Sequence, residues 1–261
     1  MTFHVNGNAA IDSLIKAHEF AAADDPTKER NVTAIHAQFT RKDQIPLYVK
    51  HRIRPSFYTL HTYYFAEAHI KNRGKAQAMY ISPMRDAIDA GLRPTNHTDA
   101  VVAPLDQMFM LWSAVNRISR AGAEIGPDQR VTPLEGLKAM TIWAAEQYGE
   151  QDAKGSLEAG KLADLVILDK NPLKVDKMAI KDIRVVETIK EGRSISRAPG
   201  AGVRAPASER SVASALGRPR CRLRDGLRHS GVCDPVACDA RLACAGCGRA
   251  CGRWARGAAR I

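Results

Sequence analysis

Residues 1–197 contain no cysteine, and no apolar run in them is longer than a few residues. The first absence excludes disulfides and thiol redox chemistry from this part of the chain. The second excludes a membrane-spanning helix, and the charged residues spread through the first thirty positions exclude a signal peptide. We therefore expect a cytoplasmic protein. The 45% hydrophobic and 26% charged residues among 261 also exclude collagen, coiled coils and wholesale disorder.

Lysine is absent after Lys190, and all six cysteines lie in the segment 198–261. This tail holds twelve Arg against four acidic residues, so it carries +8 of the chain's net charge of +11 and leaves +3 for the remainder. A partner selected by positive charge, either nucleic acid or a membrane surface, is therefore predicted only through the tail.

The tail itself gives little sign of a site. Cys244 and Cys247 form one CxxC pair, but a zinc or redox centre requires a second well-spaced pair. Trp254 is its only aromatic residue, so we do not expect nucleic-acid binding. Loss of Lys with gain of Arg, Ala, Gly and Cys is typical of a shifted reading frame through GC-rich coding sequence. We expect 198–261 to be disordered rather than a selected domain.

The rest of the chain alternates extended runs with helical patterns. The extended runs are Thr2–Val5, 31–35, 53–60 and 92–98. After the last of these runs, the apolar residues of 104–120 have the spacing of an amphipathic helix. A capping box from Thr132 to Glu135 predicts a last helix that runs to Tyr148. Alternation at intervals of about 30 residues predicts parallel βαβ units and an α/β fold.

Each extended run closes on a residue that can do chemistry, namely His4, His36, His61 and Asp99. The carboxyl ends of parallel strands meet at one edge of the sheet, where sites in α/β folds are found. A single strand-end His is more often a loop residue that hydrogen-bonds the backbone. Three His and one Asp at successive ends favour a metal or catalytic site.

A small β unit is predicted after the last helix. It comprises a short strand at 165–169 and a hairpin of 183–189 with 194–196 across Glu191 and Gly192. We therefore divide the chain into an α/β part at 1–148, a β part at 149–197 and the tail at 198–261.

Several segments resemble the amidohydrolase superfamily, and within it amidohydrolase family 3, the branch that includes N-substituted formamide deformylase-like enzymes. They are HVNGNAAID at 4–12, AIHA at 34–37, PSFYTLHTYY at 55–64, NHTDA at 96–100 and GSLEAGKLADLVILD at 155–169. The resemblance implies strands 5–8 of a metal-dependent hydrolase (β/α)8 barrel, followed by the trailing strands of a small β-sandwich.

The resemblance also assigns roles to residues. His4, His36 and Asp99 match metal ligands, and Asp99 also matches the general base. His61, His97, Tyr63 and Tyr64 match substrate-binding positions. The implied cofactor is a divalent metal, with zinc expected from the imidazole ligands. The implied reaction is hydrolysis of a non-peptide carbon–nitrogen bond, such as that of an amide or formamide, by metal-activated water.

The family's His-x-His pair on strand 1 and its Glu or modified Lys on strand 4 have no counterpart before His4. We therefore expect this chain to be the C-terminal portion of an amidohydrolase. Three classes of function stay open: a metal-dependent hydrolase of small amide-type molecules, an inactive fragment without the N-terminal ligands, and a basic protein that binds through its tail. The substrate and the oligomeric state stay open as well.

Overall fold

The computed structural model describes residues 1–25 and 27–199. All of them belong to Met1–Val203, one of the two units into which the chain divides. The predictions for the tail, including those for its six cysteines, lie outside the described residues apart from Ala198 and Pro199.

The first sheet has four parallel strands in sequential order. They are β1 Thr2–Val5, β2 Thr33–His36, β3 Arg54–Phe57 and β4 Thr95–Asn96. The register pairs Val5 with His36, His36 with Phe57, and Phe57 with Asn96, so the carboxyl ends of all four strands are level. The predicted parallel α/β arrangement is confirmed.

Nine α-helices occur in the described part of the chain, together with short 3-10 helices at Lys42–Gln44, Pro127–Gln129 and Lys177–Asp182. The main core lies between β1–β3 and the helix that follows β1, whose Ile11, Leu14 and Ile15 are buried against Val5 and Phe57. The α-helices are α1 Asn8–Ala22, α2 Ile45–Lys50, α3 His61–Tyr64, α4 Ala66–Arg73, α5 Lys75–Met79, α6 Met84–Asp89, α7 Gln107–Asn116, α8 Pro133–Met140 and α9 Ile142–Tyr148.

The second sheet is antiparallel and has the order β5 Leu165–Leu168, β6 Val185–Lys190 and β7 Arg193–Arg197. Its hairpin turns at Glu191 and Gly192, which both have positive φ, at 50° and 76°. Two successive left-handed residues make the turn that joins twisted antiparallel strands. The predicted hairpin is confirmed.

Two predicted helices have different bounds in the structure. The helix predicted at 104–120 begins only at Gln107, because the carboxylate of Asp106 accepts the backbone N–H of Phe109 and caps it there. It ends before Arg117, which is left-handed with φ 52°. The helix predicted to run to Tyr148 does start with the Thr132–Glu135 capping box, but Thr141, at φ −124° and ψ −97°, divides it into α8 and α9.

No helix among the described residues is both long enough and apolar enough to cross a bilayer.

Candidate metal centre

His36, His97 and Asp99 come together at the carboxyl ends of β2 and β4. One potential ligand atom from each lies within 4.8 Å of those of the other two. The ring centroids of His36 and His97 are 4.9 Å apart. His36 is buried, and the other two are half-buried. Two imidazoles and a carboxylate are a set of donors that suits zinc and other first-row divalent ions.

The backbone is unusual at two of these three residues. His36 has φ 67° and Asp99 has φ 51°, both in the left-handed region that L-residues adopt at a cost of about 1–2 kcal/mol. In a regular strand, His36 would point with its register partners Val5 and Phe57 into the core. Its left-handed φ breaks that alternation, and the ring lies against His97 and His4 instead. Such backbone positions are concentrated at functional sites.

Two ring nitrogens of the group are buried and lack hydrogen-bond partners within the described ranges, namely His36 Nδ1 and His97 Nε2. A divalent ion would satisfy both open nitrogens, so the residues present fit such an ion.

Burial keeps these imidazoles neutral. It lowers the pKa of His36, although nearby Asp99 acts in the opposite direction. Burial, with a smaller contribution from neighbouring His36, lowers the pKa of His97 to about 4. Both rings therefore offer lone pairs at neutral pH, as metal ligation requires.

His4 lies beside this group rather than within it. It is exposed on β1, and its ring meets that of His36 edge-on with centroids 4.5 Å apart. The amide of Asn6 is 3.4 Å from His4 Nε2.

Residues 1–196 match the profile of the family described as "Amidohydrolase family". The match covers well over half of the chain. The chain belongs to the amidohydrolase family. Its membership of family 3, which the sequence motifs predicted, is supported by 34% identity over 121 residues to N-substituted formamide deformylase of Arthrobacter pascens. That alignment covers 46% of this chain and 22% of the relative.

Solved structures resemble the chain over longer stretches. An uncharacterized metal-dependent hydrolase of Pyrococcus furiosus has a TM-score of 0.56 and 26% identity, over 66% of this chain and 34% of that one. An amidohydrolase of Thermotoga maritima has a TM-score of 0.54 and 18% identity, over 76% of this chain and 43% of that one. This amidohydrolase-family chain thus spans about a fifth to two fifths of the length of these relatives.

His61 is also buried beside this amidohydrolase-family site. Its ring centroid is 5.9 Å from that of His36 and 6.1 Å from that of His69 on α4. Burial lowers the pKa of His61 to about 2, so this ring stays neutral. Gln38 Nε2 lies 2.6 Å from His69 Nε2. The sequence reasoning did not select His69 or Gln38, because neither ends a strand.

Tyr63 and Tyr64 lie on α3 and are not members of the group formed by His36, His97 and Asp99. Tyr63 packs edge-on against Phe109, with ring centroids 4.8 Å apart, and lies near Trp112. Tyr64 packs with a small apolar cluster that includes Tyr58 and Leu60. Their assignment to substrate binding stays a prediction.

Tyr58 is the aromatic residue of the site that sequence reasoning missed. The sequence predicts an extended run over 53–60 that closes on His61, whereas β3 ends at Phe57 and Tyr58 is the first residue beyond it. Its side chain is fully buried, and its ring stacks on that of His97 with centroids 5.6 Å apart.

A cavity of about 740 Å³ lies near the opposite, amino-terminal ends of the strands. Several cations line it, but protein groups already bind many of them. Arg30 donates to the carbonyl oxygen of Ala21 at the end of α1, and Arg54 and Arg93 both pair with Glu146. Much of the positive charge that lines the cavity therefore stabilises helix ends and loops.

Proposed function

We propose that this chain contributes to a metal-dependent amidohydrolase that hydrolyses a non-peptide carbon–nitrogen bond, such as that of an amide or formamide. The observation that carries the proposal is the group formed by His36, His97 and Asp99, whose potential ligand atoms lie within 4.8 Å of one another. Membership of the amidohydrolase family supports it. The similarity to N-substituted formamide deformylase favours formamides or related amides as the substrate class.

His36, His97 and Asp99 would hold the ion, which we propose to be zinc. His4, whose ring is 4.5 Å from that of His36, would add a further imidazole at the edge of the site. A bound divalent ion lowers the pKa of a coordinated water from about 16 to about 7 and polarises a carbonyl group.

Asp99 would act as the general base. Its carboxylate takes a proton from the attacking water and passes it to the leaving nitrogen, so that one water and one amide give a carboxylic acid and an amine. His61 stays neutral and buried behind His36, where it can position a substrate but carries no charge to the site. Tyr63 and Tyr64 on the neighbouring helix α3 are proposed to shape the substrate side of the pocket.

We propose that the four parallel strands are one half of an eight-stranded barrel and that 149–197 forms part of a β-sandwich beside it. The similar solved structures of metal-dependent hydrolases support this placement. β1 and β4 are the edges of the sheet in the described chain, and in a closed barrel both would be paired.

The first experiment measures metal binding to the purified chain by equilibrium dialysis against zinc with elemental analysis. We expect one tightly bound ion per chain, and loss of that binding in His36→Ala and in His97→Ala. His51→Ala is the matched control, because His51 lines the cavity at the opposite end of the sheet. Equal zinc content in His36→Ala and wild type would refute the proposed site.

The second experiment follows the release of amine from N-alkylformamides and N-alkylacetamides by the zinc-loaded chain. Turnover that disappears in Asp99→Asn while zinc stays bound would support the role of Asp99 as the base. A chain that binds zinc at this site but hydrolyses none of these compounds would contradict activity of the chain on its own.

A further inference from the structure

The hydroxyl group of Tyr58 is buried and has no hydrogen-bond partner in the described part of the chain. An unpaired buried hydroxyl is unfavourable by about 1–3 kcal/mol, and native structures contain few of them. A phenol is protonated at neutral pH at its ordinary pKa of about 10, so the hydroxyl is a hydrogen-bond donor.

The ring of Tyr58 is held firmly against the candidate metal centre. It stacks on His97 with an interplanar angle of 21°, and it meets His61 edge-on with centroids 4.4 Å apart. The His36 ring is 6.3 Å away. These contacts limit the rotation of the phenol without using its hydroxyl group.

The other polar groups of this cluster are imidazoles, each with one donor and one acceptor nitrogen when neutral, and one carboxylate, which only accepts. The hydroxyl of Tyr58 adds a donor that no described group engages. The hydrolysis of an amide needs such a donor. The carbonyl oxygen gains negative charge as water attacks, and a donor placed in advance lowers the energy of that charge.

We propose that Tyr58 is a catalytic residue that donates its hydroxyl hydrogen bond to the substrate's carbonyl oxygen and to the oxyanion that this oxygen becomes. This inference rests on the proposed function, because it places an amide-type substrate beside His36, His97 and Asp99. No bond to Tyr58 forms or breaks, and its proton stays on the phenol throughout.

The test uses the full chain loaded with zinc, and methylphosphonate as the probe, because its tetrahedral charged oxygens resemble the oxyanion. Isothermal titration calorimetry measures zinc affinity and methylphosphonate affinity for wild type and for Tyr58→Phe. We expect Tyr58→Phe to bind methylphosphonate about 10- to 100-fold more weakly, as for the loss of a hydrogen bond to a charged group. We expect its zinc affinity to stay within about twofold of wild type.

Tyr48→Phe is the matched control. Tyr48 is also fully buried, but its hydroxyl lies 3.3 Å from that of Thr40. We expect Tyr48→Phe to bind methylphosphonate as wild type does and to lower the midpoint of thermal unfolding. Tyr58→Phe should leave that midpoint of the metal-free chain unchanged or raised, because the phenol has no internal partner to lose.

Four results would overturn the inference. Methylphosphonate could bind wild type and Tyr58→Phe equally, or it could fail to bind zinc-loaded wild type at all. Zinc affinity could fall sharply in Tyr58→Phe, which would make the phenol a metal ligand. A large drop in the unfolding midpoint of Tyr58→Phe would give its hydroxyl a structural role. A wild-type chain that binds no zinc is a separate result, since it refutes the proposed function and this inference with it.

Discussion

The guanidinium of Arg117 donates a 2.7 Å hydrogen bond from Nη2 to the carbonyl oxygen of Ile81, 36 residues earlier in the chain. Its Nη1 donates to Ser82 and its Nε donates to Ile125, again to carbonyl oxygens. The side chain is fully buried. Burial lowers its pKa to about 10, so the guanidinium is still charged at neutral pH. A single cation thus ties the segment before α6 to the segment after α7.

We predict that Arg117→Met lowers the free energy of unfolding by about 3 kcal/mol or more, because three buried carbonyl oxygens lose a charged donor. Urea unfolding followed by circular dichroism measures this. Arg52→Met is the control, because Arg52 has the same left-handed φ of 52° but an exposed side chain. A change within about 0.5 kcal/mol is expected there. Equal effects of the two substitutions would mean that the buried hydrogen bonds contribute little.

Arg117 also shows where sequence reasoning about the fold ends. The spacing of apolar residues predicts α7, but nothing in that spacing indicates that an arginine at its end is buried. The same limit applies to strands. The run at 92–98 predicts a strand, yet only Thr95 and Asn96 pair with β3, since pairing depends on the neighbouring strand.

We predict an acid-dependent loss of stability that traces to Glu135. Burial alone would raise the pKa of this carboxyl group, but hydrogen bonds from Arg85 and Thr132 outweigh it and lower the pKa to about 2. Because the folded-state pKa is below the unfolded value of 4.5, the stabilisation is complete above pH 4.5 and disappears as pH falls towards 2. Because the Glu135–Arg85 pair is partly exposed, solvent screening limits this contribution to about 1–2 kcal/mol.

The measurement compares wild type with Glu135→Gln in urea unfolding between pH 2 and 7. The difference in free energy of unfolding should be largest near neutral pH and should vanish near pH 2. Glu150→Gln is the control, because Glu150 pairs with Lys154 on the exposed surface and should contribute less than about 1 kcal/mol. A difference between wild type and Glu135→Gln that does not change with pH would contradict the prediction.

A third prediction concerns Gly126. It is the residue after Ile125, whose carbonyl oxygen accepts a hydrogen bond from Arg117. A Cβ at Gly126 would clash with the backbone oxygen of Met79, and the residue has φ 57°. We expect Gly126→Ala to lower the free energy of unfolding by about 3 kcal/mol or more. Gly122 has φ 85° but no described atom within 4 Å of an added Cβ, so Gly122→Ala isolates the backbone effect at about 1–2 kcal/mol. Comparable losses in the two variants would exclude a steric origin.

The sequence predicts those residues of the candidate site that close a strand. His36 and Asp99 are predicted in this way, because each closes an extended run. The closeness of His97 to them is not, because it depends on the left-handed backbone at His36 and Asp99, which are not glycine and give no sequence signal. Tyr58 was missed because the end of β3 could not be fixed from an apolar-aromatic run that continues past the last paired residue.

The last prediction separates two possible ligand sets, because family resemblance favours His4 whereas the geometry favours His97. A ligand that binds only the folded chain raises the free energy of unfolding by about 2.7 kcal/mol at 100 times its dissociation constant. We expect zinc at that level to raise the midpoint of thermal unfolding of wild type, and to have no such effect on His97→Ala. In His4→Ala the rise should be reduced but present, because the exposed His4 contacts only the rim of the group through His36. The reverse result, with zinc stabilising His97→Ala and not His4→Ala, would assign the ion to His4 and leave His97 to the substrate.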